Sequence, residues 1–599
     1  MKNKIQFLIA FALFLSFNNV KAQNFTISSG TQLVTNGAAI ITYSGGTMTN
    51  NGTITATDAS LVFKGAVTYD GSGTATTKNF EIDHSGSSTL NNRMQVTGVL
   101  TISNGVLVAN DNLTLVSNAL SSAVVAPIPA GSDITGIATV ERYIPARRAY
   151  RFLSPAVTTT TTIYENWQEN GSSAANFGTH ITGTGGITNG FDATATNNPS
   201  MFSFNNTTGV WEAVTNTNTD VFTAGTPCRL MVRGDRTIDM STNTPTPTAT
   251  TLRAKGALKT GDYSPTLNPA AEGYSFIGNP YQAPIDFKAV LNAAINIDAS
   301  VLYYWDPTLN ERGGYVTRNL TANTNDVTSS FNEYLQQGQA VFVKNNSTGS
   351  PSLTISESHK SLANASAGVF RSASSNSFGM LRVHLQAAEN NQWKTIEGTL
   401  ALFNDTYNWG ASSEDANKFS NLDEEVSFVQ DNTSLAIAIQ PNPANTDELP
   451  LKLKNTRYSN YQWQFELSDY DGLTPYLFDT QDNSYTQIDN NMTHAFTVNG
   501  QEQTRFKIVF QNTALSTPDF NNQIAVYPNP GNATSGFYLQ GITTTAVSLY
   551  NVMGQNIPVQ TSNNGTITEV KPLVSLSKGV YFVNLTEQGK TTQVKWIVE

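Results

Sequence analysis

The sequence predicts a mostly β, multidomain protein, and three observations carry that prediction. Charged residues make up only 13% of the 599 positions, Asn, Thr, Ser and Gly fill the gap, and 43 glycines punctuate the chain. Such a composition suits turns and half-buried strands and suits long helices poorly. Short strand-like apolar runs recur along the chain, separated by polar turn residues. A chain this long also exceeds what one hydrophobic core can organise, so several domains are expected.

Residues 1–22 have the three parts of a secretory signal peptide. Lys2 and Lys4 give a positive start, Ile5 to Phe17 is apolar, and Val20 and Ala22 place small residues before the bond between Ala22 and Gln23. The apolar part is too short to span a bilayer comfortably, so cleavage between Ala22 and Gln23 is expected.

Residues 23–127 hold very short runs such as Asn51-Gly52-Thr53-Ile54-Thr55, Leu61-Val62-Phe63, Val99-Leu100-Thr101-Ile102 and Leu113-Thr114-Leu115. Strands this short at close, uneven intervals fit a β-solenoid, in which each coil buries its apolar edge on the next. A sandwich is the alternative. This stretch resembles adhesin-like β-helical regions of exported proteins.

A β-rich extracellular domain is expected over 128–362. Its start contains the chain's one basic cluster, from Arg142 through Arg147, Arg148 and Arg151. Alternation of Arg with apolar residues predicts a strand with one wet face. Cys228, the single cysteine, opens the run Cys228-Arg229-Leu230-Met231-Val232 and reads as the start of a buried strand. Arg233-Gly234-Asp235 follows directly and is expected to close that strand in a turn.

A β-sandwich domain is expected over 370–510, from alternating runs such as Phe378 to Leu385, Tyr461 to Phe465 and Arg505 to Phe510. The polar segment 511–522 is expected to be a linker. Residues 523–599 then read as a small immunoglobulin-like β-sandwich of roughly seven antiparallel strands. Pro528 and Pro530 stiffen its entry, and Met553-Gly554-Gln555 looks like a hairpin tip.

Four blocks of this last segment occur in order: Tyr527-Pro528-Asn529-Pro530, then Tyr550-Asn551 with Gly554, then Gly579 with Tyr581, then the closing run Lys595-Trp596-Ile597-Val598. Together they resemble the type A C-terminal sorting domain of the Bacteroidetes type IX secretion system. The resemblance implies passage through the outer membrane and handling by the secretion machinery and its sorting protease. It also implies either anchoring to surface lipopolysaccharide or release. The localisation expected is therefore the outer cell surface or the extracellular space, after signal-directed export to the periplasm.

Chemistry is harder to find. No Gly-x-Ser-x-Gly elbow, phosphate loop or His-Glu-x-x-His pattern occurs, and the five histidines are far apart in sequence. A single cysteine excludes an internal disulfide and any multi-cysteine metal centre. The net charge of −11 is spread along the chain, so a nucleic-acid partner is not expected. Asp415, Asp423 and Glu424 are candidate Ca²⁺ ligands, because calcium takes oxygen donors from such loops, although no EF-hand layout surrounds them. No other cofactor is expected. The tryptophans are expected mainly in cores; the alternative is a carbohydrate-stacking platform.

The function expected is adhesion or surface architecture without catalysis, with glycans or host-matrix proteins as partners. The alternative is a secreted polysaccharide-binding or polysaccharide-degrading protein.

Overall fold

The computed structural model describes residues 24–364 and 378–511, apart from 36, 243–244, 347–348, 390, 499 and 501. It also describes 525–599, apart from 541–545, 565–566 and 588–589. The expected cleavage site at Ala22 and Gln23, and the expected linker from residue 512 onward, lie outside these residues. Helix accounts for 3% of the chain and strand for 50%, as the composition predicts. Two compact units emerge, one ending at Gln511 and the other beginning at Asn512.

The first unit begins as a β-solenoid of about five turns. Its strands stack in parallel and in register. Ile54 pairs with Ala75, Ala75 with Met94, Met94 with Leu113 and Leu113 with Ala138, in steps of 21, 19, 19 and 25 residues. All five are buried, because a coil that repeats its apolar position at one point of each turn stacks like side chains into a continuous interior. Leu61, Phe80 and Leu100 form a second such column. The uneven steps explain the ragged sequence period: length varies in the corners while the strands keep register.

The corners are held by amide side chains. Asn50 is fully buried; its Nδ2 donates to Tyr69 Oη at 2.9 Å and to the Thr74 carbonyl at 3.0 Å. Asn92 repeats the device two coils on, its Nδ2 donating to the Asn50 carbonyl at 3.0 Å. Coils approach so closely here that a Cβ on Gly73 would lie 2.1 Å from the Gly52 carbonyl oxygen. Glycine is required at that position by contact.

The solenoid ends by changing partner. The strand Ala138–Ile144 lies parallel to Leu113–Leu115 on one edge and antiparallel to Thr250–Leu258 on the other. One fifteen-stranded sheet therefore runs from the solenoid into the following region. That region adds three further sheets, the smallest being the pair Ile285–Asp286 and Tyr334–Leu335. The antiparallel four-stranded one contains Ala149–Leu153, Cys228–Val232, Met201–Asn205 and Val210–Ala213. The antiparallel five-stranded one contains Tyr274–Gly278, Ala340–Lys344, Val301–Asp306, Gly314–Asn319 and Thr324–Asn325. Aromatic rings fill the space between them: Phe152 stands 4.7 Å from Phe276 and 5.6 Å from Trp305, centroid to centroid.

Residues 379–511 form a twelve-stranded sheet. Leu477 near one end of its strand order and Phe496 at the other belong to one core with Trp463 and Ile508, so the sheet folds over into two layers. Its outer apolar face is also covered. Leu400, Leu402, Ile437 and Ile439 join Phe152, Tyr303 and Phe342 of the preceding region in a shared cluster, and Phe419 stacks on Tyr303 at 4.4 Å.

The second unit packs two four-stranded antiparallel sheets around Phe537, Leu549, Val583 and Trp596. Eight strands are present where roughly seven are expected for the type.

Candidate functional site

The basic cluster corrects the expectation of a wet face. Arg142 and Arg151 do lie in two strands, Ala138–Ile144 and Ala149–Leu153, with Arg147 and Arg148 in the connection between them, but Arg151 is buried at 7% exposure. Its Nη1 donates to the Ala149 carbonyl at 3.1 Å and its Nη2 to the Pro145 carbonyl at 3.3 Å. Arg142 points into the same space, and among the described residues its Nε has no hydrogen-bond partner. Burial pushes both guanidinium groups down to about 10. They line a cavity of about 360 Å³ whose wall also includes Trp305, Asp306, Phe331 and Gln337. A half-spent guanidinium beside aromatic rings and amides has the donor set for an anionic or polyhydroxylated ligand. Asp306 is already engaged by its own loop and by a later one: it accepts from Thr308 N at 2.8 Å and from Ser329 Oγ at 2.6 Å.

Asp415, Asp423 and Glu424 are each engaged separately. Asp415 accepts the Ser412 amide at 2.7 Å and the Ile439 amide at 2.6 Å, and burial raises its carboxyl to about 6. Asp423 accepts from Arg312, with Nη2 at 2.6 Å. Glu424 accepts from Arg457 Nη2 at 2.8 Å and from Tyr461 Oη at 2.8 Å. Among the described residues no group of three or more His, Cys, Asp or Glu side chains is arranged to hold a metal ion.

Arg233-Gly234-Asp235 ends the strand Cys228–Val232, and its carboxylate is buried. Asp235 accepts from the Asn176 amide at 2.7 Å and Thr237 Oγ1 at 2.6 Å, so the tripeptide fastens a turn. Trp167, Trp305 and Trp463 are buried, and Trp211 and Trp409 pack partly buried on cores; Trp393 is exposed at 42%. His384 lies buried against Glu466 at 3.6 Å.

One polar group lies wholly inside the protein and has no counterpart among the sequence-derived candidates. Lys418, Glu397 and Asp326 have no exposed side-chain surface. Lys418 Nζ lies 2.7 Å from Glu397 Oε1 and 3.6 Å from Asp326 Oδ2. Glu397 comes from the strand Gln392–Phe403, Lys418 from just after Ala416–Asn417, and Asp326 from just after Thr324–Asn325 in the neighbouring region. Their separation along the chain hides the group from motif reading.

In the second unit the motif residues build a corner. Asn529 Oδ1 accepts the Ile597 amide at 2.9 Å, its Nδ2 donates to the Lys595 carbonyl at 2.8 Å, and Trp596 Nε1 donates to the Pro528 carbonyl at 3.0 Å. The Tyr527-Pro528-Asn529-Pro530 block is thereby stitched to the last strand. Asn551 Oδ1 accepts the amides of Met553 and Gln555 at 3.0 Å, closing a turn in which Gly554 has φ of 77°. Tyr581 follows Gly579 into the strand Gly579–Glu587 and donates its hydroxyl to the Ser577 carbonyl at 2.8 Å.

Residues 525–599 match the family described as secretion system C-terminal sorting domain. The chain carries a type IX sorting tail. It is accordingly a protein exported to the cell surface or extracellular space and handled by the type IX secretion machinery. No curated protein matches the sequence. Among solved structures, a biofilm-associated protein (BSP domain) aligns at 8% identity, covering 79% of this chain and 99% of that one, with a TM-score of 0.11. A likeness at that level carries no argument.

Proposed function

We propose that this exported protein acts without catalysis, in adhesion or in the architecture of the cell surface. The observation that supports this best is the single sheet that runs from the solenoid coils through Ala138–Ile144 to Thr250–Leu258. Continuous backbone pairing of that kind makes a stiff structural body and presents broad polar faces for contact. The buried Trp residues are spent on cores, which favours a scaffold over an aromatic sugar platform. Glycans, host-matrix proteins and the lipopolysaccharide anchor are the partners this reading names, and the sorting protease would remove the tail.

The test is binding of purified residues 23–511 to arrays of polysaccharides and matrix proteins, with reducing-end release measured in parallel. Retention on a defined class of ligand without any release is the expected result. Cleavage of a polysaccharide would overturn the reading. The cavity beside Arg142 supports a second reading, binding of an acidic polysaccharide, for which Arg142→Ala should weaken retention at least tenfold.

A further inference from the structure

We propose that Lys418 and Asp326 become joined by an intramolecular amide bond, with Glu397 moving the protons. This goes beyond the function proposed above and does not depend on it. The case begins with position. Three ionisable side chains with no solvent exposure meet between two regions of the chain. Desolvating one ammonium and two carboxylates is costly, and a single ion pair would satisfy only two of them. Glu397 is the satisfied carboxylate: Oε1 accepts from Lys418 Nζ at 2.7 Å and from the Gly398 amide at 2.9 Å, and Oε2 accepts from Asn421 Nδ2. Asp326 is different. Its Oδ1 accepts the Thr317 amide at 2.9 Å, but Oδ2, the oxygen nearest Lys418, accepts no hydrogen bond from any described residue.

That asymmetry assigns the roles. The Thr317 amide polarises the carbonyl of Asp326 and can hold the charge that gathers on Oδ1 in a tetrahedral intermediate. The unheld Oδ2 is the leaving atom. Lys418 Nζ is placed by Glu397 and by the Gly398 carbonyl at 3.2 Å. Gly398 itself permits the approach, since a Cβ there would stand 3.1 Å from Val327 Cβ and 3.2 Å from the Asp326 carbonyl oxygen. Burial raises Glu397 to about 7, a value from which it can both take and return a proton near neutrality. Burial also raises Asp326, favouring the neutral acid that an amine can attack.

The step balances without any co-reactant. Lys418 Nζ, as the ammonium, gives a proton to the Glu397 carboxylate, which passes it to the Asp326 carboxylate at Oδ2, and the amine then attacks Cγ of the neutral acid so formed. The new C–N bond forms and the bond from Cγ to Oδ2 breaks. Both protons lost by nitrogen leave with Oδ2 as one water, and Glu397 ends as it began. The product removes an ammonium and a carboxylate from a site where neither is solvated. It also welds the region before residue 364 to the sandwich after 378 by a covalent link.

Mass spectrometry of the purified mature protein decides the matter. The expected intact mass is lower than the chain mass by one water, and proteolysis yields a branched peptide joining the segments around Asp326 and Lys418. Lys418→Arg, which keeps the charge but removes the amine nucleophile, should restore the full mass and migrate differently on a denaturing gel. Glu397→Gln should leave most of the chain uncrosslinked. Full mass in the native sequence, with the two segments recovered as separate peptides, would overturn the proposal regardless of how the variants fold. So would a branch at Glu397 in place of Asp326.

Discussion

Arg312 and Asp423 clamp two regions of the chain together. The guanidinium donates to Asp423 Oδ1 from Nε at 3.0 Å and from Nη2 at 2.6 Å, while the Arg312 backbone amide donates to Oδ2 at 3.1 Å. Asp423 is almost wholly buried at 1% side-chain exposure, and Arg312 is 36% exposed. Arg457 stands nearby, bridging Glu424 and Glu311. The acidic run that reads as a cation loop in sequence is thus the acidic half of an ionic seam.

Removing Arg312 leaves Asp423 buried without its main partner. Arg312→Ala is expected to lower stability by about 2–4 kcal/mol, the usual cost of orphaning one buried charge. Urea denaturation at neutral pH measures it. A loss below about 0.5 kcal/mol, typical of an exposed pair, would show that the seam does not hold these regions together.

Chelation should be without effect on the melting temperature. Asp415 holds two backbone amides, and Asp423 and Glu424 face Arg312 and Arg457, so their oxygens are already engaged. Scanning calorimetry with and without excess chelator is the measurement. A fall of several degrees would return these three residues to the role of calcium ligands.

The interior column of the solenoid sets its stability. Phe80 is fully buried, with Phe63 5.0 Å away edge-on. Phe80→Ala is expected to cost about 3–5 kcal/mol. Loss of the native circular dichroism at a lower denaturant concentration would register it.

Stability should peak on the acid side of neutrality. Asp415 has a folded value raised to about 6 by burial, so between its ordinary value and 6 the folded state binds the extra proton and stability falls as pH rises. Glu466 runs the other way. The His384 ring 3.6 Å away and the Arg382 guanidinium, which donates to Glu466 Oε2, hold it at about 2, so its contribution is present above the ordinary glutamate range and is lost as pH falls towards 2. Melting temperature across pH 2–8 should therefore rise from the acid end, peak near pH 4–5 and decline gently towards 7. Asp415→Asn should make the decline shallower, leaving the part that the raised Glu397 carboxyl contributes, and should leave the acid limb in place.

Deleting 525–599 should leave the protein in the periplasm, because that segment is the sorting domain. Fractionation of cells expressing the truncated chain tests this; normal surface delivery would assign the export signal elsewhere.

Local signals were legible in the sequence wherever one segment acts alone. The mostly β class follows from residue type and turn chemistry, and the sorting tail follows from four short blocks in order. The solenoid was legible as a preference, since its coils are local, but its corners vary in length and only stacking shows that Ile54, Ala75, Met94, Leu113 and Ala138 share one column. What tertiary structure alone decided is where charge goes. Alternation gives Arg151 a face of its strand but cannot say that another sheet covers it. Nothing near Lys418 in sequence announces Glu397 or Asp326, because a buried ionic group is assembled from strands that meet only when the domains pack. Periodicity reports the nearest neighbours along a chain; burial of charge depends on neighbours that sequence distance does not reveal.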